Sequence, residues 1–118
     1  VVTNQPDIGR GDLNIEIANL INKNIMQRLE IKYYFICPHG NDNECDCRKP
    51  KPGMLISASK KYNIDLNASL MIGDRDKDIY AGFNAGTKTI FLSNKSMGNE
   101  NYLCRNHDDL IELLEEIL

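Results

Sequence analysis

The chain has 118 residues, 42% of them hydrophobic, which is enough for one buried core and too little for two. Its formal charge of −3, from 17 acidic and 14 basic residues, argues against nucleic acid or an anionic membrane as the main partner, because both reward a strongly basic face. No apolar run approaches a membrane span, no signal peptide stands at the start, and four cysteines suit a reducing compartment, so a single cytoplasmic domain over residues 1–118 is expected.

In chain order, Val1-Val2-Thr3 reads as the end of a buried strand, and Asn4 to Gly11, with Pro6, Gly9 and Gly11, as a loop. Asp12 is placed to cap a helix through Glu30 in which Ile17, Leu20, Ile21, Ile25 and Leu29 recur at helical spacing. Ile31 to Cys37, rich in β-branched and aromatic residues, predicts a strand. Pro52 suits the first turn of a second helix, with Leu55, Ala58 and Tyr62 on one face and a stop near Asn63. Ser69 to Ile72 is a short apolar strand, Gly73-Asp74 turns the chain off its carboxyl end, and a helix carrying Ile79 and Phe83 follows, closed by Gly86 as a left-handed cap. Thr87 to Leu92 predicts another strand, Ser93 to Asn101 a long polar loop, and Asp108 to Leu118 a terminal amphipathic helix.

This alternation predicts an α/β fold, a mostly parallel sheet with helices on both faces. Such sheets bind ligands outside the carboxyl ends of their strands, and Thr3, Cys37 and Asp74 each stand at one of those ends.

Within one short loop, residues 37–47, the chain places Cys37, His39, Cys45 and Cys47, the soft ligands that Zn²⁺ prefers. Four protein ligands leave no open position for a reacting water, so the expected metal is structural. A disulfide is the competing reading, but two thiols one residue apart join only with strain, and disulfide scaffolds belong to small secreted chains. Cys104 has no neighbour of its kind and reads as a small buried apolar residue.

Arg48 and Lys49 leave the last ligand directly, one a fork-shaped donor and the other a point charge, and Pro50 and Pro52 stiffen the chain beside them. They are either ordinary solvated cations or an anion grip. Thr3-Asn4-Gln5 offers a hydroxyl, two amides and backbone N–H groups at a strand end, a set suited to phosphoryl oxygens or to a plain turn. Asp74 is the kind of hard ligand Mg²⁺ uses when it shares its coordination with phosphate and water; the alternative is an acidic helix start, which accounts well for Asp76. Asp78, four residues on, falls on the same helical face and can orient the neighbours of Asp74 or pair with Lys49.

Together these motifs resemble the haloacid dehalogenase (HAD) superfamily of phosphohydrolases. Val1 to Gln5 resembles its second motif, Arg48-Lys49-Pro50-Lys51-Pro52-Gly53 its third, and Gly73-Asp74-Arg75 with Asp78 its fourth. The loop from Cys37 to Pro50, with Thr3-Asn4-Gln5 and Ile8-Gly9-Arg10-Gly11, is similar to the D-glycero-D-manno-heptose-1,7-bisphosphate 7-phosphatases and the related histidinol-phosphatases, the heptose branch more closely. The resemblance runs from Val1 to about Leu92. It implies a Rossmannoid three-layer sandwich and a Mg²⁺-dependent phosphomonoester hydrolase acting on a small phosphorylated sugar. It further implies that Thr3 and Lys49 stabilise the phosphoryl group in transfer, Asn4, Gln5, Arg48 and Arg75 bind substrate, and Asp74 holds Mg²⁺.

One departure stands out. The family's attacking aspartate comes from a first motif, an Asp-x-Asp at the end of the first strand, and this sequence, whose Val1-Val2-Thr3 already resembles the second motif, has no such first motif. The chain is therefore expected to be a carboxyl-terminal portion of a longer phosphatase, lacking a central strand, monomeric, and inactive by itself. A zinc-stabilised sugar-phosphate-binding remnant is the alternative. Zinc is expected to clamp Arg48 and Lys49, so that its removal loosens substrate binding and leaves the Mg²⁺ ligand in place.

Overall fold

The computed structural model describes residues 1–40 and 44–118, so residues 41–43 of the expected metal loop lie outside the described residues. The chain forms two compact units, Val1–Arg48 and Lys49–Leu118.

The first unit holds β1 (Val2–Asn4), α1 (Pro6–Gly9), α2 (Ile15–Arg28) and β2 (Phe35–Cys37). The two strands pair in parallel, with Thr3 opposite Ile36 and Asn4 opposite Cys37, so both run out at the same edge. The expected loop after the first strand contains the single turn of α1, started by Pro6, whose missing N–H costs nothing at a helix start. Asn14, not Asp12, caps α2: its side chain accepts from the Glu16 N–H at 2.7 Å. The second strand is shorter than its β-branched and aromatic stretch suggested, because only Phe35 to Cys37 has a partner strand to bond.

The buried stripe of α2 also differs from expectation. Ala18, Asn22 and Met26, spaced four apart, face inward, whereas Ile17, Leu20, Ile21, Ile25 and Leu29 are all exposed. A two-stranded sheet is too narrow to cover a broad apolar helix face, and the small Ala18 lets the helix approach along one line instead.

The second unit holds α3 (Gly53–Tyr62), β3 (Leu70–Gly73), α4 (Asp76–Ala85), β4 (Lys88–Leu92), β5 (Tyr102–Cys104) and α5 (His107–Ile117). Its sheet has the order β3-β4-β5, and both pairings are parallel. Pro52 is the residue before α3 rather than inside it, and Asn63 ends that helix in the left-handed conformation at φ 53°. The core gathers Met71, Ile79, Ala81, Ile90, Phe91 and Cys104, with Thr89 buried among them. Thr89 is satisfied by Asn101, whose side-chain oxygen accepts from the Thr89 N–H at 2.8 Å.

Cys104 is buried as expected, and it lies in a strand that the polar loop before it had concealed. Phe83 is exposed, and Gly82 takes the inward position on α4, since a Cβ there would overlap the Met71 side chain. The mixed α/β architecture with parallel sheets agrees with the expected fold class, and β3 has no second strand on its outer side among the described residues.

Candidate functional site

At the carboxyl end of β1 the first unit presents Thr3, Asn4 and Gln5. Gln5 is held at two points. Its backbone N–H donates to Cys37 O at 2.8 Å, and its side-chain Oε1 accepts from Asn22 Nδ2 at 3.2 Å. The turn after β1 is thereby tied both to the end of β2 and to the inner face of α2.

β2 ends at Cys37, and the loop beyond it folds back so that Cys37, His39, Cys45 and Cys47 bring one ligand atom each to within 4.8 Å of all the others. The separations are 3.8 Å from Cys37 Sγ to Cys45 Sγ, 3.0 Å from Cys47 Sγ to Cys37 Sγ, 3.5 Å from Cys37 Sγ to His39 Nδ1 and 3.2 Å from His39 Nδ1 to Cys47 Sγ. A tetrahedral ion with metal–sulfur bonds of about 2.3 Å requires edges of about 3.8 Å, so this cage needs only a slight expansion. All four cysteines are free thiols, and the disulfide alternative has no support.

Electrostatics favour a cation in the same place. Burial, and then the neighbouring Cys37 and Cys45, push the Cys47 thiol up to about 12. Burial also opposes ionisation of Cys45, but hydrogen bonds from the Arg48 backbone, the Cys47 and Cys37 thiols and the Cys47 backbone outweigh it and hold that thiol below its ordinary value. Three thiols this close cannot all ionise without a compensating positive charge, and a bound metal ion supplies one.

Two backbone features frame the cage. Arg48 donates from its guanidinium to His39 O at 3.1 Å, so the cation is anchored on the metal loop. Gly9 packs directly under it: a Cβ there would come within 2.6 Å of Pro38 O and 3.0 Å of Gly40 N. The close approach, rather than a turn conformation, is what requires glycine.

In the second unit, Lys49 Nζ lies 2.6 Å from Asp78 Oδ1, and both side chains are largely buried, 13% and 10% exposed. The other Asp78 oxygen, Oδ2, accepts from the Arg75 N–H at 3.2 Å. Each carboxylate oxygen thus has its own partner, and the pairing of Lys49 with Asp78 expected from spacing is present. Asp74 is exposed at the carboxyl end of β3, one residue before Arg75, which itself precedes α4 and is exposed. Pro50, joined to Lys49 by a cis peptide bond, accepts from Asn84 Nδ2 of α4 at 3.3 Å.

The role of Gly73 differs from expectation. Its φ is not positive; a Cβ at this position would instead overlap the Asp78 side chain, coming within 2.6 Å of Oδ2. Gly73 makes room for the carboxylate that holds Lys49.

The site residues expected from sequence therefore form two sets. Thr3, Asn4, Gln5, the four metal-loop residues and Arg48 belong to the first unit, and Lys49, Asp74, Arg75 and Asp78 to the second. Asn22 was not among them. Its signal was present as a polar residue midway between Ala18 and Met26 on one helical line, but the stronger Ile and Leu pattern on the adjacent face masked it.

The profile of the HAD-hydrolase-like family matches residues 46–112. The chain belongs to that family. It is 38% identical over 103 residues to the D-glycero-beta-D-manno-heptose-1,7-bisphosphate 7-phosphatase of Pasteurella multocida, an alignment covering 78% of this chain and 56% of the relative. To the enzyme of that name from Helicobacter pylori it is 28% identical over 124 residues, covering 98% of this chain and 72% of the relative. Among solved structures, it matches the D,D-heptose 1,7-bisphosphate phosphatase from B. bronchiseptica, complexed with magnesium and phosphate. The TM-score is 0.81 at 27% identity, over 98% of this chain and 72% of that one. The chain thus spans little more than half the length of the Pasteurella relative. Among the described residues, no helix is long and apolar enough to cross a membrane.

Proposed function

We propose that the whole protein is a Mg²⁺-dependent phosphomonoester hydrolase that removes the 7-phosphate of D-glycero-D-manno-heptose 1,7-bisphosphate, with this chain supplying phosphate-binding and metal-binding groups. The observation that carries the reading is the buried Lys49–Asp78 pair at 2.6 Å, whose carboxylate stands in the first turn of α4, four residues after Asp74 at the end of β3. An ammonium fixed by a carboxylate is pre-oriented, so little side-chain entropy is lost when it meets a phosphoryl oxygen. The naming of the Pasteurella and Helicobacter relatives and the magnesium and phosphate of the B. bronchiseptica structure support the choice of substrate class and ion.

In this proposal Lys49 and Thr3 stabilise charge on the transferring phosphoryl group, Asn4, Gln5, Arg48 and Arg75 bind the remaining oxygens and the sugar, and Asp74 holds Mg²⁺. When bound, Mg²⁺ offsets charge on the phosphoryl oxygens. Asp78 holds Lys49 in place. The Cys37, His39, Cys45 and Cys47 cage holds structural Zn²⁺, whose closed donor set leaves no position for a reacting water. Its task is to fix the loop on which Arg48 is anchored.

Phosphate release by the purified whole protein with Mg²⁺ tests this directly, using both anomers of heptose 1,7-bisphosphate and histidinol phosphate side by side. Preference for a heptose bisphosphate is expected. Preference for histidinol phosphate, or no release from any of the three, would overturn the assignment.

A further inference from the structure

Asn22 is 6% exposed on the inner line of α2, where an apolar side chain of similar size would pack without needing any partner. A buried amide in that position must be satisfied, and its bonds identify what it does. Nδ2 donates to Ala18 O at 2.8 Å, one turn back, and to Gln5 Oε1 at 3.2 Å.

The first of these bonds determines the sense of the second. A backbone carbonyl only accepts, so the group of Asn22 that faces Ala18 O is its NH₂. The same nitrogen faces Gln5, so Gln5 presents its oxygen to Asn22 and turns its own NH₂ away from the helix. The Gln5 backbone cannot swing to reverse this, because its N–H is bonded to Cys37 O at 2.8 Å.

We propose that Asn22 is a positioning residue that locks the Gln5 amide with its NH₂ outward, making Gln5 a hydrogen-bond donor to a phosphoryl or sugar oxygen at the end of β1. The inference rests on the phosphate-site reading given above and adds to it the residue that sets the polarity of one contact. Without Asn22, the Gln5 amide rotates freely and offers its oxygen as readily as its nitrogen. An oxygen turned toward an anion repels it, so the average contact weakens.

The test is a double-mutant cycle on the full chain, with inorganic phosphate as the probe and binding followed by NMR titration. Asn22→Leu keeps the branched shape and removes the donor; it is expected to weaken phosphate binding several-fold, by up to about tenfold, the scale of an ordinary hydrogen bond, because the Gln5 contact is loosened and not removed. Gln5→Ala is expected to weaken it at least as much. In the Gln5→Ala background, Asn22→Leu should then change nothing further, because its effect passes through Gln5. A full additional loss from Asn22→Leu in that background would overturn the proposal while leaving the phosphate reading intact. Failure of the unaltered chain to bind phosphate would overturn both.

A second measurement needs no variant. In the unaltered chain the Gln5 side-chain NH₂ resonances should move on phosphate addition and those of Asn22 should stay still. Movement of Asn22 with Gln5 unmoved would sink the assignment even if Asn22→Leu does not fold.

Discussion

Asp78 does two jobs with its two oxygens, and the consequence of losing it can be estimated from burial. Lys49 and Asp78 are 13% and 10% exposed, so removing the carboxylate takes a short ion pair away from a mostly desolvated ammonium. Breaking a buried pair from one side costs about 3–5 kcal/mol, and the slight solvent access here places Asp78→Ala near about 3 kcal/mol. Asp78→Asn should cost less, since an amide oxygen still accepts from the Arg75 N–H. Urea denaturation of the two variants checks the order; equal losses would mean that the bond to the Arg75 N–H contributes little and that the whole loss is that of the pairing with Lys49. At this scale much of the site was legible in the sequence. The ligand set of the metal loop and the reach of Asp78 to Lys49 follow from residue type and spacing. What spacing does not encode is clearance. Gly9 and Gly73 read as turn formers, and only the positions of Pro38, Gly40 and Asp78 reveal that each exists to let another group come close.

At the scale of elements, carboxyl-terminal caps proved more transparent than faces. Gly86 was expected to close α4 in the left-handed conformation, and it does so at φ 88°. A Cβ there would touch nothing nearer than Asn67 Oδ1 at 3.5 Å, so Gly86→Ala isolates the conformational cost from any clash. That cost is about 1–2 kcal/mol for an alanine in this region, and Gly86→Asn should recover part of it because asparagine tolerates the conformation. Thermal melts of both variants report the difference, and an alanine variant as stable as the parent would contradict the cap assignment. The inner face of α2 was opaque for the opposite reason. Hydrophobic periodicity ranks faces by apolarity, and Ile17, Leu20, Ile21, Ile25 and Leu29 outrank Ala18, Asn22 and Met26 on that measure, yet the helix packs along the second set. Small residues allow close approach, and a buried amide goes where its partner Gln5 is. β5 was missed for a related reason: three residues at the edge of a sheet, after a long polar loop, carry almost no pattern of their own.

On the scale of the whole chain, the two units draw stability from different sources. Lys49–Leu118 has a three-stranded parallel sheet and most of the fully buried apolar side chains, including Met71, Ile79, Ala81, Ile90, Phe91 and Cys104. Val1–Arg48 has two three-residue strands and a helix packed along a narrow line, with Ala18, Met26 and Cys37 as its buried apolar residues. Two parallel strands are marginal without further support, so the Cys/His cage, which lies within this unit, would carry a disproportionate share of its stability if it holds the Zn²⁺ proposed for it. Chelation of the Zn²⁺ we propose should therefore act unevenly. Amide hydrogen exchange, followed by mass spectrometry with and without a chelator, is expected to show protection lost across residues 1–40 and 44–48. Peptides covering Ile79 and Ile90 should keep theirs, because their burial depends on α4, β3 and β4 and not on the cage. Equal loss in both units would mean that they unfold as one, and no loss in either would remove the structural role from the cage. Anion binding separates the same way. Arg48 is anchored through His39 O and should lose its orientation with the metal, whereas Lys49 is held by Asp78 and should not. Metal removal is thus expected to weaken the grip on phosphate without abolishing it, because Lys49 has in Asp78 a hold that does not depend on the metal.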